Sequence, residues 1–194
     1  MPIQRAKPKF SDVKNVSIAA STMPAGSIIQ KVVQQEDGVT SFTQSGTNEM
    51  IMLASNAGDS TSHLSLSITP KSANSKILLT ACVFHEVNNT GNHSTLWSFY
   101  RDSTKLSAPV AGSRRSGIGQ TGMGYWNSDA ASTADVVNYH YYDSPNTTSA
   151  ITYAVSFQNT TSGTVLYLNR TVLDSNSAGY ERGISMIMAQ EIKV

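Results

Sequence analysis

Ile151-Thr152-Tyr153-Ala154-Val155-Ser156-Phe157-Gln158, then Asn159-Thr160-Thr161-Ser162-Gly163, then Thr164-Val165-Leu166-Tyr167-Leu168, is the stretch from which the fold can be read. Side chains of a β-strand point alternately to opposite faces, so Ile151, Tyr153, Val155 and Phe157 share one apolar face and Thr152, Ala154, Ser156 and Gln158 the other. The intervening Asn-Thr-Thr-Ser-Gly segment has the chemistry of a hairpin turn, with Gly163 available for a positive φ. The strand that follows is apolar on both sides, as expected of a central strand of a sandwich or of a strand at a subunit contact.

The same short, turn-bounded pattern recurs on either side. Beginning at Ser27, Ile29, Lys31, Val33 and Gln35 alternate with Ile28, Gln30, Val32 and Gln34. Further strands are predicted over Glu49 to Ala54, Leu64 to Thr69, Lys76 to Val87, Thr95 to Arg101, Val136 to Asp143, Ala150 to Asn159, Thr164 to Val172 and Ile184 to Ile192. Asp102-Ser103-Thr104 reads as a tight turn into a short strand near Leu106. No segment carries a sustained helical period, and no internal repeat suggests a solenoid or propeller. The expectation is an all-β fold, a two-sheet antiparallel β-sandwich of jelly-roll-like type.

Residues 1 to 24 differ. Pro2, Pro8 and Pro24 punctuate them, and the basic residues Arg5, Lys7, Lys9 and Lys14 cluster there without apolar periodicity. They read as an extended arm, with residues 25 to 194 forming the sandwich. In the arm, Arg5, Lys7, Lys9 and Lys14 would meet an acidic partner surface, and Ile3, Phe10, Val13 and Val16 would fill pockets between subunits.

Composition narrows the function classes. The chain has 194 residues, 14 Lys+Arg against 13 Asp+Glu, and only 14% charged residues. That balance disfavours nucleic acid as a partner. Ser, Thr, Asn and Gln supply the polar surface. The first ten residues lack the apolar core of a secretory signal, and no run reaches the roughly eighteen apolar residues of a membrane span. The single cysteine, Cys82, lies in the apolar run Ile77 to Phe84 and reads as a small buried thiol.

Candidate chemistry dissolves on inspection. Gly117-Ile118-Gly119-Gln120-Thr121-Gly122 fits the spacing of a dinucleotide fingerprint, but no strand precedes it and no helix follows, so it reads as part of a long mobile surface loop. His63, His85, His93 and His140 show no metal-ligand spacing. A nucleophile elbow and a phosphate-binding loop are both missing. No enzyme activity, cofactor or metal is expected. Trp97, Phe99 and Tyr100, and again Tyr139, Tyr141 and Tyr142, form aromatic clusters that could stack on sugars but are better explained by burial.

Four segments in succession carry a resemblance: Leu66 to Leu78 (LSITPKSANSKIL), Tyr100 to Leu106 (YRDSTKL), Tyr142 to Tyr153 (YDSPNTTSAITY) and Tyr167 to Thr171 (YLNRT). Their order over the C-terminal two thirds of the chain resembles a family of small β-sandwich virion proteins of tailed phages infecting cyanobacteria and other aquatic bacteria. The resemblance implies a structural module of the particle surface, trimeric by analogy with other jelly rolls, and no catalytic residues. The leading expectation is a capsid decoration or cement protein, a homotrimer standing on the major capsid protein. The alternative is a short tail fibre or tail-tip adaptor held by a tail or baseplate protein, with a host surface glycan as a further partner. A free carbohydrate-binding module is the third reading. Leu166, Leu168, Met186 and Met188 are the expected trimer contacts, and Arg114, Arg115, Tyr125 and Trp126 the expected tip of an exposed loop spanning Ser107 to Asp135.

Overall fold

The computed structural model describes residues 19–88, 94–122 and 131–194. The arm residues Ile3, Arg5, Lys7, Lys9, Phe10, Val13, Lys14 and Val16, and the loop residues Tyr125 and Trp126, lie outside them. Among the described residues there are twelve strands: β1 (Ile28–Glu36), β2 (Thr40–Thr43), β3 (Met50–Ile51), β4 (Ser65–Ile68), β5 (Lys76–Val87), β6 (Leu96–Arg101), β7 (Thr104–Leu106), β8 (Gly119–Gln120), β9 (Asp135–Asp143), β10 (Ile151–Gln158), β11 (Val165–Leu168) and β12 (Ser185–Ile192). The only helical elements among the described residues are 3-10 segments such as Ala20–Thr22 and Ala54–Asn56.

The strands form two six-stranded antiparallel sheets packed as a jelly-roll-like sandwich. In the first sheet the long β5 is the spine. One of its edges pairs with β9 from Ile77 to His85, and the other pairs with β12 along Lys76 to Cys82 and with β11 along His85 to Val87. β1 and β2 continue outward beyond β12 and β11. In the second sheet β10 is central: β6 lies on one side, with β7 and β8 beyond it, and β4 and β3 share the other side.

The alternation read from the sequence sets the inner layer. Ile151, Tyr153, Val155 and Phe157 of β10 face Ile77, Leu79, Ala81 and Val83 of β5, all buried, with Trp97 and Phe99 of β6 and Ile187 and Ala189 of β12 in the same core. A buried side chain of this kind stabilises the fold by about 1.5–3 kcal/mol, so this one layer supplies most of the favourable free energy of folding.

Two polar devices organise the packing. Asp143, at the end of β9, accepts both bonds from the Arg101 guanidinium (2.9 and 3.0 Å) and the Tyr153 hydroxyl proton (2.6 Å), clasping one sheet to the other. Burial and the Asp143 carboxylate push the Tyr153 phenol far above its ordinary range, so it stays a donor at any physiological pH. The second device ends β11. Asn169 adopts a left-handed φ of 61°, its amide donates to the carbonyls of Glu36 (2.7 Å) and Gly38 (2.8 Å), and its Oδ1 accepts from Ser185 Oγ (2.6 Å). The strand predicted to run to Val172 therefore stops at Leu168. Likewise the segment predicted from Glu49 to Ala54 is a strand only at Met50–Ile51 before it tightens into the 3-10 turn.

Candidate functional site

The side chains that leave the core through the outer face of the first sheet set it apart. On β5 the outward residues are Leu78, Thr80, Cys82 and Phe84, and on β12 they are Met186, Met188 and Gln190. The register lines them up across four strands. Val33, Met188, Thr80 and His140 form one row; Gln35, Met186, Cys82 and Asn138 the next; Lys31, Gln190, Leu78 and Tyr142 a third. Half-buried Leu78, Cys82, Phe84, Met186 and Met188 make the centre, and exposed Lys31, Gln35, Asn138 and His140 make a polar rim. Val33 (42% exposed), Val136 (44%) and Tyr142 (53%) extend the apolar surface toward both edges. An apolar centre inside a polar rim is the anatomy of a protein interface.

The outer face of the second sheet is built differently. Its outward residues mix small and polar side chains with two larger ones: Thr152, Ala154 and Ser156 on β10, Ser65 and Ser67 on β4, and Leu96, Ser98 and Tyr100 on β6. Glu49 lies across them, accepting from Ser156 Oγ (2.7 Å) and pairing with Lys105 Nζ (2.5 Å). Burial, and next the Glu49 charge, raise the Tyr100 phenol above its usual range.

The predicted contact residues divide between core and surface. Met186 and Met188 are on the outer face, as a contact role requires. Leu166 and Leu168 are fully buried in the chain's own core, so they have no surface to offer a neighbouring subunit. Their strand is apolar on both sides because it is central, lying between β5 and β2, with Val165 and Tyr167 turned outward. Cys82 also departs from expectation. Its thiol is turned outward and half-buried, and burial raises its pKa above the ordinary thiol value.

The loop after β7 is pinned over its described part, which corrects the reading of a mobile surface loop. Arg114 is exposed, but Arg115 donates to the carbonyls of Ser94 (2.9 Å) and Gln158 (2.7 Å). Gly119–Gln120 pairs with β6 as strand β8. The glycines of the fingerprint-like segment are there for packing. A Cβ on Gly117 would come within 2.4 Å of Leu96 Cγ and 2.8 Å of the Trp97 carbonyl oxygen, and one on Gly119 within 3.1 Å of Tyr139 Cβ. Thr121 then enters the core, where its Oγ1 accepts from Trp97 Nε1 (2.9 Å) and lies 3.0 Å from His85 Nε2.

Trp97, Phe99 and Tyr139 are core residues, as burial predicted, and offer no platform to a sugar. His85 is fully buried against Trp97, with ring centroids 4.7 Å apart. Buried Glu86 is structural as well, accepting from the Thr133 N–H (2.9 Å) and hydroxyl (3.0 Å) and from the Val172 N–H (2.8 Å), so that it staples two loops to β5. Among the described residues no three His, Cys, Asp or Glu side chains gather as they would around a metal ion.

These features define the chain as an all-β, two-sheet sandwich with one apolar outer face. No family model matches the chain, and no curated protein matches it.

Proposed function

We propose that this chain is a non-enzymatic structural subunit of a bacteriophage particle, a decoration or cement protein that assembles as a homotrimer on the capsid surface. The observation that carries the assembly part of this reading is the apolar, polar-rimmed outer face of the first sheet. Four strands at about 4.8 Å spacing and nine residues at about 3.3 Å rise span a face of roughly 600 Å². That whole face, polar rim included, is somewhat below the roughly 800 Å² each partner gives to a stable interface. The face bears the cationic Lys31 and Lys76 and no carboxylate among its central rows, so a partner surface that is apolar at its centre suits it better than a basic one. Its two edges differ, β1 on one side and β9 on the other, which favours a head-to-tail contact that closes into a ring. The particle part of the reading is supported by the ordered sequence resemblance, with residues 1 to 24 as the attachment arm to the major capsid protein.

The assembly test is light scattering coupled to size exclusion. The wild type should run at three times the chain mass, and Met188→Lys should run as a folded monomer. Thr152→Lys, on the opposite outer face, should remain trimeric. A wild-type monomer, or a trimer indifferent to Met188→Lys, overturns this interface. The particle test is immunogold electron microscopy with antibody to residues 107–117: label over heads is expected, label confined to tails would transfer the subunit to a fibre or adaptor role, and unlabelled particles would overturn the assignment.

A further inference from the structure

Arg170 and Arg182 face each other across an isolated antiparallel bridge. Like charges directly opposite cost stability, so a pair of guanidinium groups at one bridge has to be held by something. Arg182 is held by a bidentate pair with Asp174 (2.7 and 2.6 Å). Arg170 donates to the carbonyls of Thr171 (3.1 Å) and Val172 (2.9 Å), and its guanidinium carbon lies 4.2 Å from the centre of the Tyr167 ring.

These side chains line a surface groove made of two cavities that meet at Asp174. A cavity of about 440 Å³ is bounded by Arg170, Asp174, Asp59 and the start of β2. A second, of about 360 Å³, shares Asp174 and continues along Asn176, Tyr180 and Arg182. The floor includes Thr40, 6% exposed, whose hydroxyl accepts the Asp59 N–H (3.2 Å). The Asp59 carboxylate accepts from the N–H groups of Thr61 (3.0 Å) and Ser62 (2.9 Å) and from Ser62 Oγ (2.6 Å).

We propose that this groove is a binding site for a neutral oligosaccharide. Its charge sorts the ligand class. Two carboxylates and two guanidinium groups sum to zero, so neither a metal cation nor a phosphorylated anion finds one sign of field. A polyol offers donors and acceptors together and can use both. The polar groups are already oriented by bonds within the protein, so binding spends little on ordering them. Among the described residues Tyr180 is the one aromatic lining the second cavity, and apolar sugar faces pack on such rings. Asp59, although burial works against its charge, is kept ionised by its three donors and remains an acceptor well into acid. The proposal does not rest on the particle reading, since a sugar site would serve a shell protein, a fibre or a free module.

The test is an array of neutral oligosaccharides of hexoses, deoxyhexoses and N-acetylhexosamines, probed with the full chain and followed by titration calorimetry on the best binder. Binding should weaken at least tenfold in Tyr180→Ala and in Ser175→Trp, which fills the groove without removing a side-chain bond. Asp174→Asn, which keeps the size of the side chain but releases Arg182, should weaken it too. A silent array, preferential binding of sialylated or phosphorylated glycans on a companion array of charged glycans, or binding that all three variants retain would each overturn the proposal.

Discussion

The two outer faces of this sandwich cover the same core but use different chemistry. Behind β5 and β12 the outward residues are Leu78, Thr80, Cys82, Phe84, Met186, Met188 and Gln190; behind β10 and β6 they are Thr152, Ala154, Ser156, Leu96, Ser98 and Tyr100, with a Glu49–Lys105 pair among them. Average composition hides this, because a strand contributes alternate residues to inside and outside and the polar face of one sheet offsets the apolar face of the other. The face that keeps more of its side chains apolar is the one whose desolvation costs less, and it is the face proposed above as the interface. On the other, Glu49 takes up Ser156 and Lys105, while the buried Ser98 hydroxyl has no partner among the described residues.

This contrast holds only if both faces belong to one body, and Asp143 is the residue that joins them. Asp143→Ala would strand the Arg101 guanidinium and the Tyr153 hydroxyl, which otherwise share that carboxylate. Arg101 is a quarter exposed and can turn to water, but the Tyr153 hydroxyl is fully buried, and a buried donor left without its acceptor costs about 1–3 kcal/mol. Chemical denaturation should show that loss with an unchanged m-value. A loss below about 1 kcal/mol would mean that the apolar layer alone holds the sheets together.

The apolar face can be challenged next at Gly183. A Cβ there would come within 2.3 Å of Phe84 Cγ, because the ring lies directly over the glycine. Gly183→Ala should push Phe84 off its seat at a cost of about 1–3 kcal/mol, typical of overpacking, and should also disturb the assembly surface. If thermal melting and oligomer mass are both unmoved, Phe84 is not part of a fixed surface. The corresponding crowding on the other sheet is at Gly117, which packs on Leu96 and the Trp97 carbonyl.

What the sequence made legible follows from period. Strand β5 was read at its observed limits, and β10 and β12 within a residue at each end, because long alternating runs leave little choice of face. Strands β2 and β8 were missed. Thr40–Thr43 has one large apolar residue, Phe42, and Gly119–Gln120 has none, so neither carries a periodic signal and both exist only because a neighbour offers an open edge. Met186 and Met188 were placed on a surface, yet Leu166 and Leu168 beside them in that prediction are core. Alternation tells which residues share a face but not which face is inside when both are apolar. The groove between Asp59 and Tyr180 gave no signal, since its residues come from three segments distant in sequence and only the left-handed Asn169 and the Arg170–Arg182 bridge bring them together.

The smallest effect belongs to the polar face. Lys105 is a quarter exposed, so its pair with Glu49 is partly screened, and exposed pairs of this kind contribute about 0.2–1 kcal/mol. Glu49→Gln keeps an acceptor for Ser156 and removes only the charge. Stability should fall by less than about 1 kcal/mol, and by less still in high salt. The sharper readout is Tyr100. Its phenol is raised first by burial and second by the Glu49 carboxylate, so deleting that charge should bring its titration, followed by NMR of the labelled ring, down toward the ordinary tyrosine value without reaching it. The sign follows from the neutral phenol being the form the folded chain prefers: the stability it lends is present below the unfolded pKa of about 10 and is lost as pH rises through the folded one. A Tyr100 titration that does not move would show that burial alone sets it. The polar face would then rest on its small residues and not on the charge laid across them.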